Sequence, residues 1–112
     1  MFLNTAGGLF SLKNDAGNPA VDSGIITYNG ETFCYEDQYF DRNVANVICR
    51  SLGYDIATSW VTVESDNYSA PVSKFKCGRE EWSSCTYSQD TVCGTSRAVR
   101  MTCQCELTFV DL

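Results

Sequence analysis

The chain has 112 residues, one domain's worth, and its 14 acidic against 8 basic side chains give a net charge of −6. That balance excludes the basic footprint of a nucleic-acid binder, and no stretch approaches the roughly 20 apolar residues of a membrane-inserting helix. Histidine is absent, which removes Ser-His-Asp and Cys-His catalysis and histidine metal ligation together.

In chain order, residues 1–8 read as a flexible lead-in and 9–112 as a single domain. Met1-Phe2-Leu3 is followed by Asn4, Thr5 and two glycines, with no basic n-region or long apolar h-region. A secretory reading therefore expects a leader that was removed or excised. Phe10-Ser11-Leu12 alternates as a short strand, and Asn14 to Pro19 reads as loop. Ile25 to Tyr28 and Glu31 to Tyr35 are β-rich runs flanking Asn29-Gly30, the strongest short hairpin signal, because both turn residues need positive φ.

Residues 41–52 form the one clear helical pattern. Asp41 suits the N-cap, where its carboxylate meets free N–H groups of the first turn. Val44, Val47, Ile48 and Leu52 recur at helical spacing, with Ala45 and Cys49 beside them. Gly53 suits the left-handed position after the helix, and Tyr54 its apolar follower. Cys49 thus lies on or near the buried side, where it can staple helix to sheet. Ser59 to Glu64 and Val72 to Cys77 predict strands, Cys77 to Cys93 is dense in turns, and Ala98 to Cys103 and Leu107 to Val110 predict closing strands. Asn67-Tyr68-Ser69 is a glycosylation sequon that would carry a glycan at Asn67 in a secretory route.

Seven cysteines stand at 34, 49, 77, 85, 93, 103 and 105, with no Cys-x-x-Cys spacing, and a zinc site would need four thiolates. The pattern predicts a disulfide framework in an oxidising compartment rather than a metal centre. An odd number leaves at least one thiol over. Cys103 and Cys105 alternate to one strand face and would compete for Cys49. Neither a nucleophile–base pairing nor a glycine-rich phosphate loop is present, so no enzyme is expected.

The run Ala45-Asn46-Val47-Ile48-Cys49-Arg50-Ser51-Leu52-Gly53-Tyr54 resembles the helix signature of scavenger receptor cysteine-rich (SRCR) domains, over ten contiguous positions with two conservative changes. Tyr28-Asn29-Gly30 is similar to that family's hairpin before its first cysteine. The order Pro71, Cys77-Gly78, Cys85, Cys93-Gly94, Cys103 follows its later cysteines. The resemblance covers roughly residues 9 to 103 and is closest to the six-cysteine group. It implies an α+β domain in which a small curved antiparallel sheet cradles the helix. It also implies bridges Cys34–Cys93, Cys49–Cys103 and Cys77–Cys85, leaving Cys105 unpaired or intermolecular.

Departures from the family pattern bear on its sites. Cys34 stands two residues before the family position, now Glu36, and a two-residue slide along a strand keeps the same face. Where the family's calcium ligands would be, this chain has Asp37, Gln38 and Arg97. Calcium requires several oxygen ligands of net negative charge, so that site reads as degraded and no metal or cofactor is expected. A salt bridge from Arg97 to Asp37 or Glu36 could replace the ion. Lys74 and Lys76 replace the acids many members carry before the third cysteine, and with Arg79 they could form a small basic patch for polyanions. Trp60 and Trp82 read as core or half-buried rather than as binding platforms.

The resemblance implies a non-catalytic extracellular or secreted module that recognises a protein, polyanionic or glycan ligand, with weak candidate contacts at Glu36, Asp37, Arg97, Lys74, Lys76 and Arg79. The alternative is a structural or adhesive domain that self-associates as a covalent homodimer through Cys105.

Overall fold

The computed structural model describes residues 10–16, 18–65, 72–89 and 92–105. The predicted strand at Leu107 to Val110, the sequon at Asn67 and the lead-in at 1–8 lie outside these residues. Among the described residues there are one α-helix, two antiparallel sheets and three disulfides, an α+β architecture.

The strands are β1 (Phe10–Lys13), β2 (Ser23–Tyr28), β3 (Glu31–Thr32), β4 (Ile56–Glu64), β5 (Val72–Cys77), β6 (Cys85–Gln89) and β7 (Arg97–Gln104). The helix α1 spans Arg42–Ser51, between β3 and β4. The larger sheet runs β1-β2-β7-β4, with β3 paired to β2; the smaller is β5-β6. The α+β fold with antiparallel pairing is the one expected, with β5-β6 as a separate ribbon beside the main sheet. The segment 77–93, read as turns, contains β6, because the Cys77–Cys85 pair closes a ribbon that propensity alone does not mark.

Asn29 and Gly30 have φ of 52° and 84°, so the two-residue turn joins Tyr28 directly opposite Glu31, as the sequence predicts. The run to Tyr35 is shorter than expected. After Thr32 the chain leaves β2 with a bond from Phe33 N–H to the Ile26 carbonyl (3.1 Å). It reaches β7 with one from Tyr35 N–H to the Arg97 carbonyl (2.9 Å). Phe33 and Cys34 are both buried, so strand alternation fails here. Cys34 meets Cys93 because of this crossing, and the same-face argument from a strand slide does not apply.

The helix begins where Asp41 accepts the Val44 N–H (3.0 Å) and ends with Gly53 at φ 95°. There Gly53 N–H bonds the Arg50 carbonyl (3.0 Å) and Tyr54 N–H the Cys49 carbonyl (2.9 Å), which satisfies carbonyls the last turn leaves open. Val44, Ala45, Val47, Ile48 and Cys49 are buried against Val99, Met101, Cys103 and Ala57. Aromatic rings extend this core toward the smaller sheet: Phe10 meets Tyr28, Phe75 and Trp82 edge-on, and Phe75 stacks on Tyr87 (5.6 Å).

The disulfides join Cys34 to Cys93, Cys49 to Cys103 and Cys77 to Cys85, across 59, 54 and 8 residues of chain. The second ties α1 to β7. The first ties the crossing segment to the loop before β7. Cys105 is free and exposed; β7 ends at Gln104, so Cys105 does not share a strand face with the buried Cys103.

Candidate functional site

Glu36 and Asp37 follow the crossing segment and Arg97 opens β7 opposite it, but they do not assemble into one site. Asp37 accepts the Tyr35 hydroxyl (2.6 Å), and this bond, with partial burial, raises the Tyr35 phenol above its ordinary range. Arg97 turns away from both acids. Its Nε donates to Thr62 Oγ1 (2.8 Å) and its Nη2 to the Thr62 carbonyl (3.0 Å). The expected salt bridge to Asp37 or Glu36 is therefore absent, because a nearby carbonyl and hydroxyl on β4 satisfy the guanidinium. Two carboxylates beside a committed arginine are a poor donor set for calcium, so these residues do not fit the ion the resemblance implies.

The main-chain ladder explains why Thr62 is available. The Arg97 carbonyl faces Tyr35, and Cys103 N–H donates to the Asp22 carbonyl (2.8 Å), so at these positions β7 turns away from β4. By alternation, Ala57, Trp60, Thr62 and Glu64, opposite Cys103, Met101, Val99 and Arg97, point main-chain groups at the outer edge of β4. Arg97 covers this edge at Thr62. At Ala57 the carbonyl accepts from Arg42 and the N–H donates to Asn46 Oδ1 (2.9 Å). Asn46 in turn donates to Glu80 (3.0 Å), and Glu80 pairs with Arg50 (3.0 Å). Asn46 and Arg50 of the helix signature are thus structural: they fasten α1 to β4 and to the loop after β5.

Lys74 and Lys76 are exposed on β5, on either side of the buried Phe75. Lys74 lies at φ 55° in a bulge where Lys74 and Phe75 face only Tyr87. Arg79 is exposed but pairs with Glu81 (3.1 Å), which offsets one of the three charges expected of the patch. Trp60 and Trp82 are partly buried: Trp60 packs on Phe40 (5.5 Å) under the Arg42 guanidinium (4.9 Å), and Trp82 packs on Phe10 and Phe75.

Sequence reading passed over the face of the larger sheet turned away from α1. Ser11 pairs with Thr27, and Thr27 with Thr32; Lys13 pairs with Ile25, Ile25 with Arg100, and Arg100 with Val61. These side chains alternate with core residues and share the outer face. A cleft of about 570 Å³ opens there, over Ile25, Val63 and Ala98, with Thr27 and Thr32 on one wall and Lys13, Arg100 and Glu64 at its rim. In the sequence this face shows only as the polar positions Ser11, Lys13, Thr27 and Arg100 set among apolar ones, a mixture that any partly solvated face also gives.

Among the described residues no helix is long and apolar enough to cross a membrane, and no three His, Cys, Asp or Glu side chains cluster as metal ligands. Comparison with family models, curated proteins and solved structures finds no match.

Proposed function

We propose that this chain is a non-catalytic, extracellular recognition module of the SRCR type. The observation that carries the reading is the division of labour between its side chains. The signature residues Asn46, Cys49 and Arg50 are spent on holding helix, sheet and loop together. The uncommitted polar groups lie on exposed surfaces and in the cleft on the outer sheet face. Three disulfides in so small a chain suit an oxidising compartment.

The test is non-reducing peptide mapping of the secreted protein after thiol alkylation, followed by binding of the intact chain to arrayed glycans and proteins. The expected result is bridges 34–93, 49–103 and 77–85, and saturable binding that reduction abolishes. Mostly alkylated cysteines, or no binding at all, would overturn the reading.

The exposure of Cys105 favours a second reading, an adhesive domain joined to its copy by a Cys105–Cys105 bridge. Non-reducing electrophoresis separates the two: a thiol-sensitive dimer supports assembly, and a monomer supports the recognition module.

A further inference from the structure

The cleft on the outer face of the larger sheet combines groups in a way that narrows its ligand. Its floor, Ile25, Val63 and Ala98, is apolar and without an aromatic ring. Around it stand polar groups that lack side-chain partners among the described residues: the Lys13 ammonium, the Thr32 hydroxyl and the Glu64 carboxylate. Arg100 is held by Asp15 through one nitrogen (2.6 Å), which leaves the rest of its guanidinium fork open. Lys13 and Arg100 flank Ile25 in one row across β1, β2 and β7. Their Cα atoms are two strand spacings apart, roughly 10 Å, so both long side chains can converge above Ile25.

We propose that this cleft binds a carboxylated sugar residue. The proposal rests on the recognition reading above and assigns it a site and a ligand class. The sugar carboxylate meets Lys13 and Arg100, the C–H face of the ring lies on Ile25, Val63 and Ala98, and ring hydroxyls donate to Glu64 and exchange hydrogen bonds with Thr32. The volume lies within the range of about 300–1,000 Å³ usual for small-molecule sites. Two cations and two acids at the cleft, Lys13 and Arg100 against Asp15 and Glu64, sum to zero, and the whole chain is at −6. A polyanion therefore gains no long-range attraction here, whereas one carboxylate gains short charged hydrogen bonds. An apolar ligand would bury the unpartnered charges at a cost. An extended peptide would find the main chain of this face already committed to the sheet ladder.

The experiment is a titration of the intact, oxidised, isotope-labelled chain followed by amide NMR. The probes are methyl glucuronide, methyl glucoside and acetate, so that carboxylate and sugar are each tested alone. The expected result is saturable shifts at Ile25, Thr32 and Ala98 with the glucuronide, and about tenfold weaker binding of the glucoside and of acetate. Lys13→Gln should also cost about tenfold, the loss of one charged hydrogen bond. Lys13 is at the rim, so this variant should keep the wild-type spectrum away from the cleft, and Arg100→Gln serves as the second variant.

No shift with the glucuronide, equal binding of glucoside or acetate, or shifts confined to Lys74 and Lys76 would overturn the proposal. If array binding by the intact chain survives Lys13→Gln with Arg100→Gln, the cleft assignment fails while the recognition reading stands. Absence of array binding by the wild type defeats that broader reading instead.

Discussion

Gly24 shows how one residue can be indispensable without any local mark. A Cβ built on it would lie 2.6 Å from the Lys13 carbonyl oxygen, so β1 can approach β2 only because the side chain is missing. Gly24→Ala should destabilise the fold by about 1–3 kcal/mol, as overpacking does, measured by urea denaturation. Gly53, by contrast, was legible, because its requirement is the end of its own helix; that of Gly24 is set by a strand eleven positions back in the chain. Tyr28 and Tyr35 make the second prediction at this scale. Burial, reinforced by its hydrogen bond to Tyr87, raises the Tyr28 phenol, and the bond to Asp37, with burial, raises that of Tyr35. The fold therefore favours the protonated phenols. Their contribution is fully present below the ordinary tyrosine value of about 10 and is lost as pH rises through the higher folded values. Stability should fall above pH of about 10, and Tyr28→Phe should flatten that fall; an unchanged alkaline slope in this variant would contradict the assignment.

At the scale of the element, β4 is the informative case. It is an edge strand of nine residues with Val61 57% exposed, the kind of edge that invites pairing with another chain. Side chains from both flanks cover it: Arg42 and Asn46 at Ala57, and Arg97 at Thr62. Arg97→Ala should leave the monomer folded but raise its tendency to associate, read by sedimentation at matched concentrations. Asn46→Ala should cost about 1–3 kcal/mol by leaving the Ala57 N–H unsatisfied. The helix was readable to within a residue at each end, since periodicity and caps are local. The role of Arg97 was not, because the family resemblance sets its cation beside two acids and nothing in the sequence signals that Thr62, 35 positions earlier, is nearer. β6 was missed for a related reason: Thr86 and Tyr87 favour a strand, but the run is short and lies among turn residues, and its partner β5 and the Cys77–Cys85 bridge are tertiary features.

For the whole molecule the cross-links dominate. The Cys49–Cys103 bridge closes 54 residues and is worth about 4 kcal/mol in the chain-entropy model, comparable to the full stability of a small domain. Cys49→Ser should therefore prevent oxidative folding, read as loss of soluble folded protein after refolding in a thiol–disulfide buffer, whereas Asp37→Ala, on the exposed surface, should hardly shift Tm. A well-folded Cys49→Ser would refute the bridge's importance. The order of the larger sheet adds a constraint on biosynthesis. β7, last in the chain among the described strands, sits between β2 and β4, which are not hydrogen-bonded to each other, and Cys93 and Cys103 arrive after both of their partners. Until β7 has been made, β2 and β4 have no common neighbour among the described strands, and Cys34 and Cys49 have only each other, Cys77 and Cys85 to oxidise against. Completion of the larger sheet must wait for β7, and any pairing of Cys34 or Cys49 made before then must be exchanged before the native bridges can close.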